Sequence, residues 1–150
     1  MTNPGTLLAD YGAYHRDWRN LICHEIGIPL IVLGVIALLR LVTLTGSAFS
    51  LASLVVVVVM VYYAAAFGRE ARAATYIAIV GLAVLYVIAV FVTWPFAIAA
   101  FVVGWVFQFV GHAYEGKSPA FLTNLLHLLV GPLWVASHLV PKSASSSSAP

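Results

Sequence analysis

The sequence predicts an all-α fold, a polytopic membrane bundle of four to five hydrophobic segments, and three observations predict it. Hydrophobic residues fill 63% of the 150 positions and charged residues 8%. Mean hydropathy is +1.03. The apolar residues fall in blocks of roughly 20, the number a helix needs to cross a bilayer core about 30 Å thick. Such a chain cannot close a water-soluble surface around its apolar side chains, so lipid must form part of its solvent. The length suits one transmembrane domain, 1–142, with no separate soluble domain. The serine-rich end, 143–150, has too few apolar side chains to offset the entropy of ordering it and is expected to be disordered.

The opening residues, MTNPGTLLADYGAYHRDWRN, contain no uninterrupted apolar stretch of the kind a cleavable signal needs, so they are expected to stay on the protein. Tyr11 and Tyr14 are expected to anchor this stretch at headgroup level. The first span is 21–44, apolar apart from His24, Glu25 and Arg40 near its ends, with Pro29 early in it. The second, 48–68, carries no charge, and its valine run is too long for a buried strand. After Arg69-Glu70-Ala71-Arg72 the apolar stretch is too long for one crossing. Thr93-Trp94-Pro95 supplies an interfacial aromatic and a helix breaker, which divides it into spans 73–93 and 95–112. A fifth hydrophobic segment, 120–140, is broken by Gly131-Pro132, and it can cross, re-enter or lie at the interface.

Lys and Arg near span ends are retained on the cytoplasmic side. With alternating crossings, Arg16, Arg19, Arg69, Arg72 and Lys117 share one side and Arg40 lies opposite. The N-terminus is therefore expected to be cytoplasmic, in a bacterial inner membrane or the endoplasmic reticulum. The net charge of +2 without a basic cluster gives no sign of nucleic acid as a partner. One cysteine, Cys23, excludes an internal disulfide and a thiolate-rich metal site, leaving histidine and carboxylate as candidate ligands.

Under that topology His15, Asn20 and His24 lie at the same membrane edge as Gln108, His112 and Glu115. The last three sit at i, i+4 and i+7, within about 60° of one another on a helix. They form a polar stripe that must face protein or water, and a histidine and carboxylate at i, i+3 can reach one ion. His15 and His24 are nine residues apart, about 180° on one straight helix, so their convergence requires a break. Asp17 or Asn20 can supply it as a helix cap. Imidazoles beside a carboxylate suit iron, zinc, copper or manganese, and a set with open positions suits ferrous iron that activates oxygen. For His127, one turn beyond Asn124, helix–helix hydrogen bonding and metal ligation are equally compatible with the sequence. His138, beside Pro141 and Lys142, reads as an interfacial side chain.

Two blocks of residues carry a family resemblance over nearly the whole chain. The first is Tyr14-His15, then Asn20, His24 and the stretch ending in Pro29-Leu30; the second runs from Gly104-Trp105 through Gln108, Gly111-His112 and Glu115 to Pro119-Ala120, with Asn124 and Pro132-Leu133 beyond. In order and spacing they resemble the Mpo1-like family, once called DUF962, of 2-hydroxy fatty acid dioxygenases. Trp18 departs from the proline often found there in the family.

The resemblance implies an Fe(II)-dependent membrane enzyme that uses O2 to shorten 2-hydroxy fatty acids by one carbon, an α-oxidation. It implies His15, His24 and His112 as iron-binding histidines and Glu115 as a further ligand or a base beside them. Gln108 and Asn20 would orient ligands or substrate. Such a site belongs at the membrane–water boundary on the cytoplasmic side, with the acyl chain in lipid or between helices. The competing reading is a small membrane transporter or channel with a polar intramembrane site. That reading expects ionisable residues near the bilayer midplane, whereas here most lie toward one end.

Overall fold

The computed structural model describes residues 6, 8, 11–12, 17–44, 49–69, 71–116 and 127–140. His15, Tyr14, Arg16, Lys117, Pro119, Ala120, Asn124 and the tail 143–150 lie outside the described residues.

The first described helix, α1 (Trp18–Leu39), opens at Asp17, whose backbone is extended (φ −74°, ψ 127°) and whose carboxylate accepts from the Arg19 amide. That is the N-cap geometry in which a short acidic side chain satisfies an amide the helix leaves unpaired. The helix starts before the expected residue 21 and ends at Leu39, running through Pro29. A turn and an isolated bridge between Thr43 and Ser50 lead into α2 (Leu51–Phe67). Ser50 and Ser53 close a reciprocal capping box at its start. The third helix, α3 (Arg72–Phe91), is followed directly by α4 (Trp94–Glu115). The break falls at Thr93-Trp94-Pro95 as expected, because proline's missing N–H costs nothing in a first helical turn. Gly116, with φ +67°, ends α4 in the left-handed conformation that glycine adopts without steric penalty, its amide donating to the His112 carbonyl.

The fifth helix, α5 (His127–His138), corrects the reading of Gly131-Pro132 as a break, since the helix continues through both. Proline interrupts one hydrogen bond, which neighbouring packing tolerates in apolar surroundings. Gly131 is a packing residue: a Cβ there would lie 3.1 Å from Ile28 Cδ1 and 3.3 Å from the Tyr11 hydroxyl.

Among the described residues three helices, α1, α3 and α4, are long and apolar enough to cross a membrane, and α2 is a shorter apolar helix of 17 residues. The 12 described residues of α5 extend about 18 Å, less than a bilayer core. Outward-facing apolar side chains such as Val61, Phe91 and Phe96 cover the bundle, the arrangement expected where lipid is the solvent.

Helix α1 packs most extensively against α4, antiparallel to it. Asn20, Gly27 and Gly34 recur every seven residues on α1 and face Gly111, Gly104 and Ala97 on α4. A Cβ on Gly104 would stand 2.8 Å from the Gly27 carbonyl oxygen, and one on Gly34 would stand 2.7 Å from the Ala97 carbonyl oxygen. The two backbones therefore touch, the close approach that small residues permit between helices in lipid. At the end opposite Asp17, Arg40 Nη1 donates to the Ala89 carbonyl at 2.7 Å, joining the C-terminal ends of α1 and α3. Ser53 and Tyr86 share a hydrogen bond of 2.9 Å between α2 and α3. The end bearing Asp17, Arg19 and Glu115 is the polar end of the bundle.

Candidate functional site

The touching backbones of α1 and α4 bring their polar residues together at that end. Asn20 and His24 lie one turn apart on α1 and are fully buried. Across the seam, Gln108 and His112 lie one turn apart on α4 and are also buried. The His24 and His112 rings meet edge to face, with centroids 4.9 Å apart and planes at 87°. Residues 88 positions apart in sequence thus form one imidazole pair.

The orientation of His24 follows from a backbone bond. Its Nδ1 lies 2.9 Å from the Asn20 carbonyl oxygen, and because a carbonyl only accepts, Nδ1 carries the proton. In the neutral ring the lone pair is then on Nε2, the arrangement by which a backbone acceptor fixes a ligating histidine's tautomer.

Glu115 sits at the rim, half-buried, with a structural task already visible. Its Oε2 accepts from the Asp17 backbone amide at 2.8 Å and from Asn20 Nδ2 at 3.1 Å. One carboxylate oxygen thus clasps the N-terminus of α1 to the C-terminus of α4. Arg19 beside it pairs with Asp17 at 2.9 Å and stacks over the Tyr114 ring, its guanidinium carbon 4.4 Å from the centroid. The Arg19 hydrogen bonds hold the Asp17 carboxyl below its usual range. The expected cap between His15 and His24 is therefore Asp17.

A cavity of about 60 Å³ opens beside the imidazole pair, with Gln108, His112, His127 and Tyr11 among its walls. Gln108 Nε2 and Asn20 Oδ1 are buried without a hydrogen-bond partner among the described residues. The Gln108 side chain lines the cavity, while its Nε2 is enclosed in the seam, where a Cβ on Gly27 would lie 2.6 Å from it.

Tyr11 corrects an expectation. Its ring is not turned outward as an anchor but buried in the bundle, edge-on to His127 at 5.8 Å and tilted against Trp134 at 5.3 Å. Burial pushes its phenol pKa up, so the hydroxyl stays protonated. Trp134, which nothing in the sequence singled out, also reaches the His24 ring, at 6.3 Å. His127 is buried on the cavity wall, whereas His138 is exposed, its Nδ1 3.0 Å from the Trp134 carbonyl.

The predicted residues therefore divide by place. His24, His112, Gln108 and Asn20 are gathered in the buried seam, and Glu115 clasps its rim. Among the described residues no group of three or more His, Cys, Asp or Glu is close enough to enclose a metal.

The profile of one protein family, described as 2-hydroxy-palmitic acid dioxygenase Mpo1-like, matches residues 1–143. The chain belongs to the Mpo1-like family. A relative from Saccharomyces cerevisiae, named 2-hydroxy-palmitic acid dioxygenase MPO1, is 29% identical over 124 residues, which cover 82% of this chain and 71% of that protein. No solved structure matches. The family match takes in both blocks that build the site, the one ending at Pro29-Leu30 and the one beginning at Gly104.

Proposed function

We propose that this Mpo1-like protein is an Fe(II)-dependent dioxygenase that shortens 2-hydroxy fatty acids by one carbon. The observation that carries the reading is the buried His24–His112 pair beside a cavity that His112 and Gln108 line. The name of the yeast relative supplies the substrate class.

The residues present fit an imidazole-bound metal. Both rings are shielded from water, and the Asn20 carbonyl directs the His24 lone pair onto Nε2. His24 and His112 would hold the ion together with His15. Ferrous iron, when bound, supplies the means to activate O2 and to chelate an α-hydroxy carboxylate.

The protein's own groups do the rest. Gln108, on the cavity wall, orients the substrate. The Tyr11 phenol, Trp134 and the α5 backbone exclude water from the cavity. Glu115 keeps α1 and α4 in register so that the two imidazoles stay within reach of one ligand. Arg19 at the rim attracts the carboxylate. Arg19, Arg69 and Arg72 lie toward the polar end and Arg40 toward the other, which supports a cytoplasmic N-terminus and site.

The test is direct. Purified protein reconstituted with Fe(II) is expected to consume O2 when given 2-hydroxyhexadecanoic acid, releasing the acid one carbon shorter, and not when given hexadecanoic acid. Equal rates with the two acids, or no rate with protein shown to hold iron, would refute the reading.

A further inference from the structure

A second and larger cavity lies beneath the first. About 320 Å³ in volume, it runs between α1, α2 and α4, with Leu82 of α3 and Leu128, Leu129 and Pro132 of α5 completing its walls. It shares Ile31, Val32, Trp105, Leu128 and Pro132 with the walls of the polar cavity, so the two spaces adjoin. From Ile31 it follows α1 to Leu39, about 12 Å at 1.5 Å per residue, and from His24 to Leu39 the path is about 22 Å. That is the scale of a long extended hydrocarbon chain.

We infer that this cleft holds the hydrocarbon tail of the acid, its head at the His24–His112 pair and its methyl end near Leu39 and Val55. The inference rests on the proposed function for the identity of the head group and adds where the tail lies and what sets its length.

Four observations carry it. The two cavities share five wall residues and change from polar to apolar along one direction, which is the order of groups in a fatty acid. Among the described residues no charged side chain lines the cleft, and the hydroxyl of Tyr63, which does, is committed to the Leu129 carbonyl. Val35 and Val55 on its lips are partly exposed on the lipid-facing surface, so a tail can enter sideways from the bilayer. A competing apolar groove of about 260 Å³ lies between α1, α3 and α5, but none of its walls comes from α4, the helix that carries His112.

Val59, on α2, lines the cleft between Val55 and Tyr63 along that helix. Enlarging it to phenylalanine shortens the space available to the tail without touching the site. Each buried methylene is worth about fourfold in affinity, so loss of three or four at the far end costs long acids more than tenfold relative to short ones. The groove between α1, α3 and α5 gives the control, Val84→Phe.

The experiment uses the whole protein in detergent. A photoreactive 2-hydroxyhexadecanoic acid with a diazirine at the methyl end is irradiated with the protein, and the labelled residues are mapped by mass spectrometry with and without excess unlabelled acid. Competed label on Leu39, Val55 or Val56 is the expected result. Competed label on Ala78 or Val135, or label that no competitor removes, overturns the inference. In parallel, Val59→Phe is expected to shift the preferred acid to a shorter chain by at least tenfold in relative kcat/KM, with Val84→Phe leaving the profile unchanged. A uniform fall across all chain lengths in Val59→Phe overturns it.

The two readings fail separately. Label at the far end with no oxidation of the acid sinks the dioxygenase and leaves the tail site standing. Oxidation with label elsewhere does the reverse.

Discussion

Asn20 donates its side-chain amide to Glu115 across 3.1 Å, joining residues 95 positions apart at the edge of the apolar seam between α1 and α4. The same Glu115 oxygen accepts from the Asp17 amide. His24 is oriented by the Asn20 backbone carbonyl, not by its side chain. Replacing Asn20 by alanine therefore removes one of the two bonds of the clasp and leaves the Asp17 bond and the histidine's hydrogen bond in place. Asn20→Ala and Glu115→Ala are each expected to cost about 1–3 kcal/mol of stability, the range for a hydrogen bond to a charged group. The double variant is expected to cost less than the sum, because both remove one shared bond. Reversible unfolding in mixed detergent micelles measures this, and strict additivity would show that the clasp contributes no coupling.

The closeness of the helices is a separate matter and rests on glycine. Gly27→Ala would place a methyl 2.6 Å from Gln108 Nε2 and 2.8 Å from the Gly104 carbonyl oxygen. The backbone cannot yield locally, so α1 and α4 must part. The expected outcome is a loss of about 1–3 kcal/mol, the usual range for overpacking, with lower metal content because the imidazoles separate. Gly81→Ala is the counterpart: a Cβ there meets nothing within 4 Å, so the gain in helix propensity of up to about 1 kcal/mol should be kept. Thermal melting and metal analysis of the pair check both expectations.

These two sites also show what was legible in the sequence. Gln108, His112 and Glu115 stood out because polar groups in an apolar span are costly and their spacing put them on one face. The four long apolar runs stood out for the same thermodynamic reason. The small-residue repeats of Gly27, Gly34, Ala97, Gly104 and Gly111 were equally present, but a glycine in a span reads the same toward lipid as toward another helix. Only the antiparallel pairing of α1 with α4 gives the repeat its meaning. Tyr11 and Trp134 were illegible for a related reason, since an aromatic near a segment end fits a headgroup anchor as well as a lining that folds inward. Gly131-Pro132 misled because residues that break helices in water are retained within them where packing compensates.

The cap at Asp17 makes stability depend on acid. Arg19 holds the Asp17 carboxyl below its ordinary value of 3.8 in the folded protein. A lowered folded pKa means that the contribution is complete above the ordinary value and is lost as pH falls beneath it, through the lowered pKa. Asp17→Asn keeps a capping side chain but abolishes the titration. The wild-type protein is expected to melt above this variant by a constant margin at neutral pH, and the margin is expected to close in the acid range below the ordinary carboxylate value. Melting curves of the two proteins across pH decide it. A margin that stays constant at all pH values would mean that the charge of Asp17 contributes nothing to folding.

The histidines give the sharpest division, because burial and neighbours separate them into kinds. His24 and His112 form the shielded pair. His138, exposed and edge-on to Trp134 at 4.2 Å, shares their chemistry but not their place. If the pair holds iron, His24→Ala and His112→Ala are each expected to lower bound Fe(II) by tenfold or more and to abolish O2 consumption with 2-hydroxyhexadecanoic acid, since neither imidazole can replace the other across the seam. His138→Ala is expected to keep both. Metal content is the stronger readout, because activity also falls when a variant merely loosens α1 against α4. That ambiguity has its own control in Gly111→Ala, whose methyl would meet Asn20 Oδ1 and Cys23 Cβ and push the helices apart with every histidine intact. If the Gly111 variant binds iron weakly and recovers it at higher Fe(II) concentration while the histidine variants do not, the loss in the latter is one of ligands. Histidine variants that retain the wild-type iron content would remove His24 and His112 from the metal site.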